Sequence, residues 1–215
     1  MSAFWSQLLF AVVGIIVMAA AALYHFVLDG SLPAKSSFML DLERARALAR
    51  AGGADRPHSI EVEFLAIDEI PKMGAIAGLN RMPLRMVRTS FQLRSDWGNT
   101  VIDVGMDRNV SARFQSGLID FDDDSLMRIR AAIQRARIIA VTHEHPDHMG
   151  LLLRLSDLEE RLDRLRLTEA QIFAAALYTS NTEQLGFLNS VEPLPDDGPQ
   201  LIAPGIVMIP AAGHT

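Results

Sequence analysis

The chain has 215 residues, 49% of them hydrophobic, and its formal net charge is −6. This acidic balance argues against a polyanionic partner, so nucleic-acid binding is not expected. The chain contains no cysteine, which excludes disulfides and is compatible with any cellular compartment. About 180 residues follow the apolar start of the chain, enough for one domain with a proper hydrophobic core.

The chain opens with an apolar segment. In residues 8–28 the only polar side chains are those of Tyr24 and His25, and about 20 apolar residues are needed for a helix to cross a bilayer. We therefore expect residues 1–28 to form an uncleaved single-pass membrane anchor. A cleaved signal peptide, which would make the protein secreted or periplasmic, is the alternative. It is disfavoured because no Lys or Arg precedes the apolar run.

The rest of the chain divides into two predicted parts. Residues 29–58 are expected to form a linker and an amphipathic helix, and residues 59–215 the main domain. Lys35, Arg44 and Arg46 follow the span, whereas only the free amino group precedes it. This charge bias favours a cytoplasmic main domain only weakly, so the side of the membrane stays open.

Helical periodicity and strand alternation predict a mixed set of elements. Helices are expected at 36–50, after Asp122, from 149 and at 157–165; strands at 59–67, 86–93, 100–104, 138–141, 201–203 and 206–210. Residues 170–177 are apolar and fit either a strand or a helix. Strands mixed with helices, without regular alternation, favour an α/β or α+β layered domain.

Two charged runs need interpretation. The three carboxylates Asp122, Asp123 and Asp124 are expected to cap a helix and complement its dipole, since no glycine and glutamate follow at calcium-loop spacing. Four arginines lie along the strand predicted at 86–93 and its flanks, and we expect them to form a solvated surface rather than a phosphate-binding strip. They are Arg81, Arg85, Arg88 and Arg94.

Four metal-capable side chains follow the apolar strand predicted at 138–141, namely His143, His145, Asp147 and His148. His143 and His145 are two residues apart, so in an extended segment both imidazoles lie on one side and reach one ion. Pro146 then turns the chain, and Asp147 and His148 can face a second ion. Imidazole and carboxylate ligands without thiolate suit zinc, and also manganese or iron.

A second motif, Gly213-His214-Thr215, ends the sequence after a Pro-Gly hairpin. His214 alone would be weak evidence for a ligand, but beside the first motif it becomes a further candidate. The helical protease motif H-E-x-x-H is excluded, because Asp147 stands where its second histidine is required and Pro146 would break the helix. His25 and His58 have no such neighbours and are interpreted as incidental.

The H-x-H-x-D-H run, the G-H-T run and the strand-end motif Val-Ile-Asp103-Val-Gly together resemble the metallo-β-lactamase-fold hydrolase superfamily. The resemblance covers residues 59–215 and implies an αββα sandwich, here preceded by the membrane helix. The family's later bridging aspartate and further histidine have no counterpart before Thr215, so we expect only the N-terminal part of the sandwich, in a fragment or truncated chain.

The resemblance also implies the roles of the site residues. His143, His145 and His214 match ligands of a first metal ion, and Asp147 and His148 match ligands of a second. Asp103 matches a residue that supports the ligand loop. Two divalent ions, zinc before manganese or iron, are the expected cofactors.

These expectations predict a metal-dependent hydrolase that uses metal-activated hydroxide on a small ester- or lactone-type substrate, with Asp147 moving the proton. A phosphodiesterase or nuclease of the same fold is the first alternative. A non-catalytic, membrane-tethered metal-binding protein is the second. The predicted partners are thus a small-molecule substrate and a membrane, with no prediction of oligomeric state.

Overall fold

The computed structural model describes residues 3–31, 40–53, 55–76, 78–114 and 117–211. The chain forms two compact units, Met1–Ser36 with Glu69–Met86, and Ser37–Asp68 with Val87–Thr215. The division predicted at residues 28 and 58 is continuous along the chain, whereas each of these units is assembled from two separate segments.

The first unit contains the apolar helix. Helix α1 covers Ala3–Leu23 and continues as a π-helical turn, Tyr24–Leu28. The helical stretch Trp5–Leu28 has 24 residues, none of them buried, and is long and apolar enough to cross a membrane. The predicted apolar helix is confirmed. A signal sequence would have the same length and composition, so the assignment as an anchor stays a prediction.

A six-stranded mixed sheet forms the centre of the second unit, and the far ends of two of its strands belong to the first. Its strands are β1 Ser59–Pro71, β2 Pro83–Arg94, β3 Asn99–Ile102, β4 Leu118–Phe121, β5 Ala136–Ala140 and β6 Leu165–Arg166. Their spatial order is β4-β1-β2-β3-β5-β6. The β1–β4 and β2–β3 pairs are antiparallel, whereas β3–β5 and β5–β6 are parallel.

Helices and a hairpin complete the second unit. They are α2 Leu42–Ala51, α3 Arg108–Phe114, α4 Asp123–Arg135, α5 Pro146–Met149, α6 Glu169–Tyr178, α7 Thr182–Leu188 and the antiparallel pair β7 Gln200–Ala203 and β8 Ile206–Met208. Asp122 caps α4, because its side chain accepts from the backbone N–H groups of Asp124 and Ser125. The predicted capping role of this acidic run is therefore confirmed.

Some predicted elements differ from the structure. The predicted helix at 36–50 begins only at Leu42, and residues 36–39 lie outside the described residues. The helix predicted at 157–165 is a short 3₁₀ segment, Glu159–Arg164, because Leu165 leaves it to pair with Ile139 of β5. Residues 170–177 are helical. Elements α3, β4 and α7 were not predicted.

Strand β5 is buried on both faces, which is typical of a parallel strand. Ile139 belongs to the main core, packed with side chains of α4 such as Ile129 and Ile133. The alternate residues Ile138 and Ala140 pack instead against the β7–β8 hairpin. The α/β class is confirmed, and β5 is fixed from both sides just before the chain enters the histidine motif.

Candidate metal centre

The ends of two parallel strands bring the candidate residues together. Strands β3 and β5 run in the same direction, so the segments that follow them leave the same edge of the sheet. Asp103 follows β3 and adopts a positive φ of 60°. The next two amides, of Val104 and Gly105, donate to the carbonyl of His148 at 2.9 and 3.2 Å. The two loops are therefore joined by their backbones.

Asp103 is the buried carboxylate that orients the histidine loop. It is 3% exposed and accepts hydrogen bonds from the backbone N–H of Thr142 at 2.7 Å and from its hydroxyl at 2.9 Å. His148 Nδ1 lies 2.8 Å from the other oxygen of Asp103. This contact leaves His148 Nε2 as the atom available to a ligand, as carboxylates commonly arrange for metal-binding histidines.

His143 and His145 form the first pair of donor atoms. His143 Nε2 lies 3.1 Å from His145 Nδ1, and His143 Nδ1 contacts the Thr142 hydroxyl at 3.0 Å. Two nitrogens bound to one tetrahedral zinc ion, each at about 2.0–2.1 Å, are about 3.3 Å apart. The spacing of this pair is close to that of adjacent ligands on one ion.

Asp147 and His148 form the second pair, with His148 Nε2 at 3.3 Å from Asp147 Oδ2. Burial alone would lower the pKa of His148, but hydrogen bonds to Asp103 and Asp147 outweigh it and raise the pKa to about 9. Burial would raise the pKa of Asp147, but His148 and Arg88 hold it at about 2. A metal ion must therefore displace a proton from His148.

A partly buried arginine lies against the second pair. The Arg88 guanidinium donates from Nη1 to Asp147 Oδ2 at 2.5 Å and from Nε to Asp68 Oδ2 at 2.5 Å. The side chains are 15% exposed for Arg88 and 1% for Asp68. The expectation of a solvated surface is wrong for Arg88, because the two carboxylates draw it inward. Sequence reasoning missed Arg88 and Asp68 as site residues, since neither lies in a recognisable motif.

The side chains of both pairs are chemically suited to a divalent cation, but the two pairs differ in how accessible they are to one. Imidazole nitrogens and carboxylate oxygens are suitable ligands for zinc, manganese or iron. The imidazoles of the first pair face each other, whereas at the second pair a guanidinium already lies against Asp147 Oδ2. Within the described ranges, no three His, Asp or Glu side chains converge on one point. The predicted ligand His214 lies outside those ranges.

Tyr178, at the end of α6, is influenced by the charges of the site. Burial raises the pKa of its phenol, and the charges of Glu144 and Asp147 raise it further. The sequence did not predict Tyr178 near the site, because it follows an apolar segment without a recognisable motif.

The fold is a mixed sheet, and a loop that contains histidine and carboxylate side chains follows its parallel strands. This combination defines the class of protein with which the chain can be compared. Residues 86–159 match the family model of the metallo-beta-lactamase superfamily. A search of curated proteins found no match. The matched segment, which contains the histidine motif, is therefore similar to the metallo-β-lactamase superfamily, and solved structures share the fold.

Three solved structures illustrate the likeness in fold. One is B. thuringiensis AiiA, as a mutant with N-decanoyl-L-homoserine bound at its active site, 13% identical with a TM-score of 0.51. Another is an N-acyl homoserine lactone hydrolase with N-hexanoyl-L-homoserine at its catalytic metal centre, 13% identical with a TM-score of 0.50. The third is a probable metal-dependent hydrolase from Staphylococcus aureus, 12% identical with a TM-score of 0.51.

These alignments cover 72–73% of this chain and 65% of each of those chains. The chain thus spans less than two thirds of their length. At such low identity the likeness concerns the fold.

Proposed function

We propose that the protein is a metal-dependent hydrolase acting on a small ester- or lactone-type substrate. The observation that carries this proposal is the facing of His143 Nε2 and His145 Nδ1 at 3.1 Å, at the edge where β3 and β5 end. Two imidazole donors at this spacing suit a bound cation better than a packed core. Asp147 and His148, with Nε2 and Oδ2 at 3.3 Å, would supply further ligands, and His214 is proposed as another.

Each side chain has a distinct task in this proposal. A bound divalent ion would lower the pKa of a water molecule and polarise the substrate carbonyl. Asp103 orients the His148 ring through its contact with Nδ1. Asp147 stays ionised because its pKa is about 2. Oδ2 is engaged by Arg88, so a proton from the attacking water would pass through the other oxygen to the leaving group, since a carboxyl group with so low a pKa does not keep it.

The pairing of the basic stretch favours a neutral or weakly anionic substrate over a phosphodiester. Three arginines of the basic stretch are paired with carboxylates: Arg88 with Asp68 and Asp147, Arg94 with Glu61, and Arg85 with Glu69. Paired guanidinium groups offer less attraction to a phosphate than solvated ones. The N-acyl homoserine lactone hydrolase among the structurally similar proteins adds a precedent for this substrate class.

The test is hydrolysis by the full chain loaded with zinc, assayed in parallel on an N-acyl homoserine lactone and an aryl phosphodiester. We expect turnover of the lactone, and a loss of about 100-fold or more in His143→Ala and in Asp147→Ala. His58→Ala is the matched control, because this histidine is 58% exposed and has only a distant partner, Asp96 at 4.0 Å.

Three results would change the assignment. Wild-type turnover in both site variants would contradict the hydrolase proposal. Faster turnover of the phosphodiester would favour the phosphodiesterase alternative. Stoichiometric zinc binding with no turnover of either substrate would favour the non-catalytic metal-binding protein.

A further inference from the structure

The connection between β1 and β2 packs on the end of the apolar helix, within the first unit. Gly78 N–H donates to the Val27 carbonyl at 2.8 Å. Gly78 has a φ of +79°, and a Cβ at this position would lie 2.5 Å from Gly30 Cα. Both the backbone angle and the close approach require glycine at 78. The contact between this connection and the end of the helix therefore depends on glycine at position 78.

The described residues of this connection, 72–76 and 78–82, form a turn at the tip of the β1–β2 pair; the name tip is used for residues 72–82 of the sequence. Lys72 N–H donates to the Met82 carbonyl at 2.9 Å, and Met73 N–H donates to the Asn80 carbonyl at 3.0 Å. Lys72 also accepts at its carbonyl from the Ile76 N–H at 3.0 Å. These bonds hold the backbone of the tip in a fixed position beside the span.

The tip exposes an unusual amount of apolar surface for an ordered turn. Ile76, Leu79 and Met82 are 59%, 42% and 58% exposed. The span ends beside them with two more exposed apolar side chains, Tyr24 and Leu28. Clustered apolar side chains next to a candidate membrane span mark a surface that partitions from water.

The charge of the tip differs in sign from that of the chain. The tip contains the basic residues Lys72 and Arg81 and no acidic residue, although the whole chain has a net charge of −6. Basic and apolar side chains combined in one short segment suit the headgroup region of an anionic bilayer. An acidic protein surface or a second copy of this acidic chain is less well matched to the apolar part.

We propose that the tip is a second membrane contact, seated in the headgroup region of an anionic bilayer where the apolar helix leaves it. The helix supplies the span, and the Gly78–Val27 contact fixes the tip at the level of its last residues. The inference rests on the helix being an uncleaved anchor and is independent of the hydrolase function. Its consequence is that the protein touches the bilayer surface at two separate segments of the chain.

The absence of cysteine from the chain allows a direct test by single-cysteine nitroxide labelling. Ile76→Cys and Met82→Cys report on the tip, and Ile16→Cys reports on the span. Met127→Cys on α4 is the matched control, since Met127 is 60% exposed against 58% for Met82. The full-length variants are reconstituted in phosphatidylcholine vesicles with and without phosphatidylglycerol. Collisions of the label with oxygen and with a water-soluble nickel chelate give its depth.

In the anionic vesicles we expect labels at Ile76 and Met82 to lie about 5–10 Å inside the headgroup–acyl boundary, with the Met127 label in water. Lys72→Gln combined with Arg81→Gln is expected to move both tip labels towards water in anionic vesicles only. If the tip labels are as accessible to the chelate as the Met127 label while the Ile16 label lies in lipid, the inference is wrong. The membrane anchor and the hydrolase proposal would be unaffected by that result.

An Ile16 label in water would remove the anchor and the inference together, while leaving hydrolysis untouched. Spin–spin broadening between tip labels of neighbouring chains would identify a second copy as the occupant and would also overturn it.

Discussion

Arg88 is the residue that most distinguishes this site from a simple pair of metal positions. Its guanidinium bridges the carboxylates of Asp68 and Asp147, which lie on β1 and α5. A cation bound to Asp147 Oδ2 would have to share that oxygen with a fixed positive charge. We therefore expect the chain to bind one divalent ion tightly, at His143 and His145, and a second only weakly.

Replacing Arg88 tests the expected difference in affinity between the two ions. Arg88→Met removes the guanidinium that bridges two buried carboxylates, so we expect the free energy of unfolding of the metal-free protein to fall by about 3–5 kcal/mol. Added zinc should restore part of that loss, and the zinc content by mass spectrometry should rise from one to two ions per chain. Arg94→Met is the control, because the Arg94 pair with Glu61 is about half exposed and should cost at most about 1 kcal/mol. An unchanged zinc content in Arg88→Met would contradict the proposed competition.

The metal motif could be predicted from sequence, but this bridge could not. His143, His145, Asp147 and His148 lie within six residues, so their spacing alone indicates a shared site. Arg88 is 59 positions from Asp147, and a basic residue on a strand is usually solvated. Only the sheet order, which places β2 beside β3, brings it to the histidine loop.

Helix α5 follows the first donor pair and contains the second, and its end is tightly packed. A Cβ on Gly150 would lie 2.3 Å from the Pro146 carbonyl oxygen and 2.8 Å from Val110 Cγ1. No side chain fits there without moving backbone. The residue after α5 must therefore be glycine for the loop to close on α3.

A pair of glycine substitutions tests this packing. Gly150→Ala is expected to lower the free energy of unfolding by about 1–3 kcal/mol through overpacking, measured by chemical denaturation. Gly186→Ala in α7 is the matched control, because a Cβ added there would meet nothing within 4 Å. It should raise stability by about 0.5–1 kcal/mol by restricting the unfolded chain and favouring helix. Equal effects of the two substitutions would rule out the steric account.

Elements with strong local signals were predicted well, and short ones were not. The Asp122 cap of α4 and the hairpin around Pro204 and Gly205 depend on residues close in sequence. Strand β6 has only two residues, and its existence depends on pairing with β5. The local charge pattern of residues 157–165 therefore indicated a longer helix, which the sheet interrupts.

At the scale of the whole molecule, the proposed membrane location depends on the apolar helix. Its stretch Trp5–Leu28 has no buried residue, so in water the entire helix would expose apolar surface. At 1.5 Å per residue it is about 36 Å long, enough to cross about 30 Å of hydrocarbon. Among the described residues, the β1–β2 connection contacts it at its last turn, and no residue of the stretch becomes buried.

Retention in membranes tests the anchor. We expect the full chain to stay in the membrane pellet after an alkaline wash, and its intact mass to include residues 1–28. Ile16→Asp places a charge near the centre of the span at a cost of about 2.5–3.5 kcal/mol, so it should release a large part of the protein. Met127→Asp serves as the control and should be retained like the wild type. A mature chain starting shortly after Ala22 would identify a signal peptide instead.

The contacts of Asp103 have a consequence for the order of events during synthesis. Its carboxylate joins partners 39 and 45 positions later, Thr142 and His148. While the ribosome is still adding those residues, Asp103 has been synthesised but its hydrogen-bond partners have not. The four metal-capable side chains then emerge together, but the ring of His148 is not oriented until β3 has paired with β5 beside it. A nascent chain that bound zinc early would therefore bind it with freely rotating histidine side chains. In the proposed function, zinc binding in the folded geometry would follow the pairing of β3 with β5.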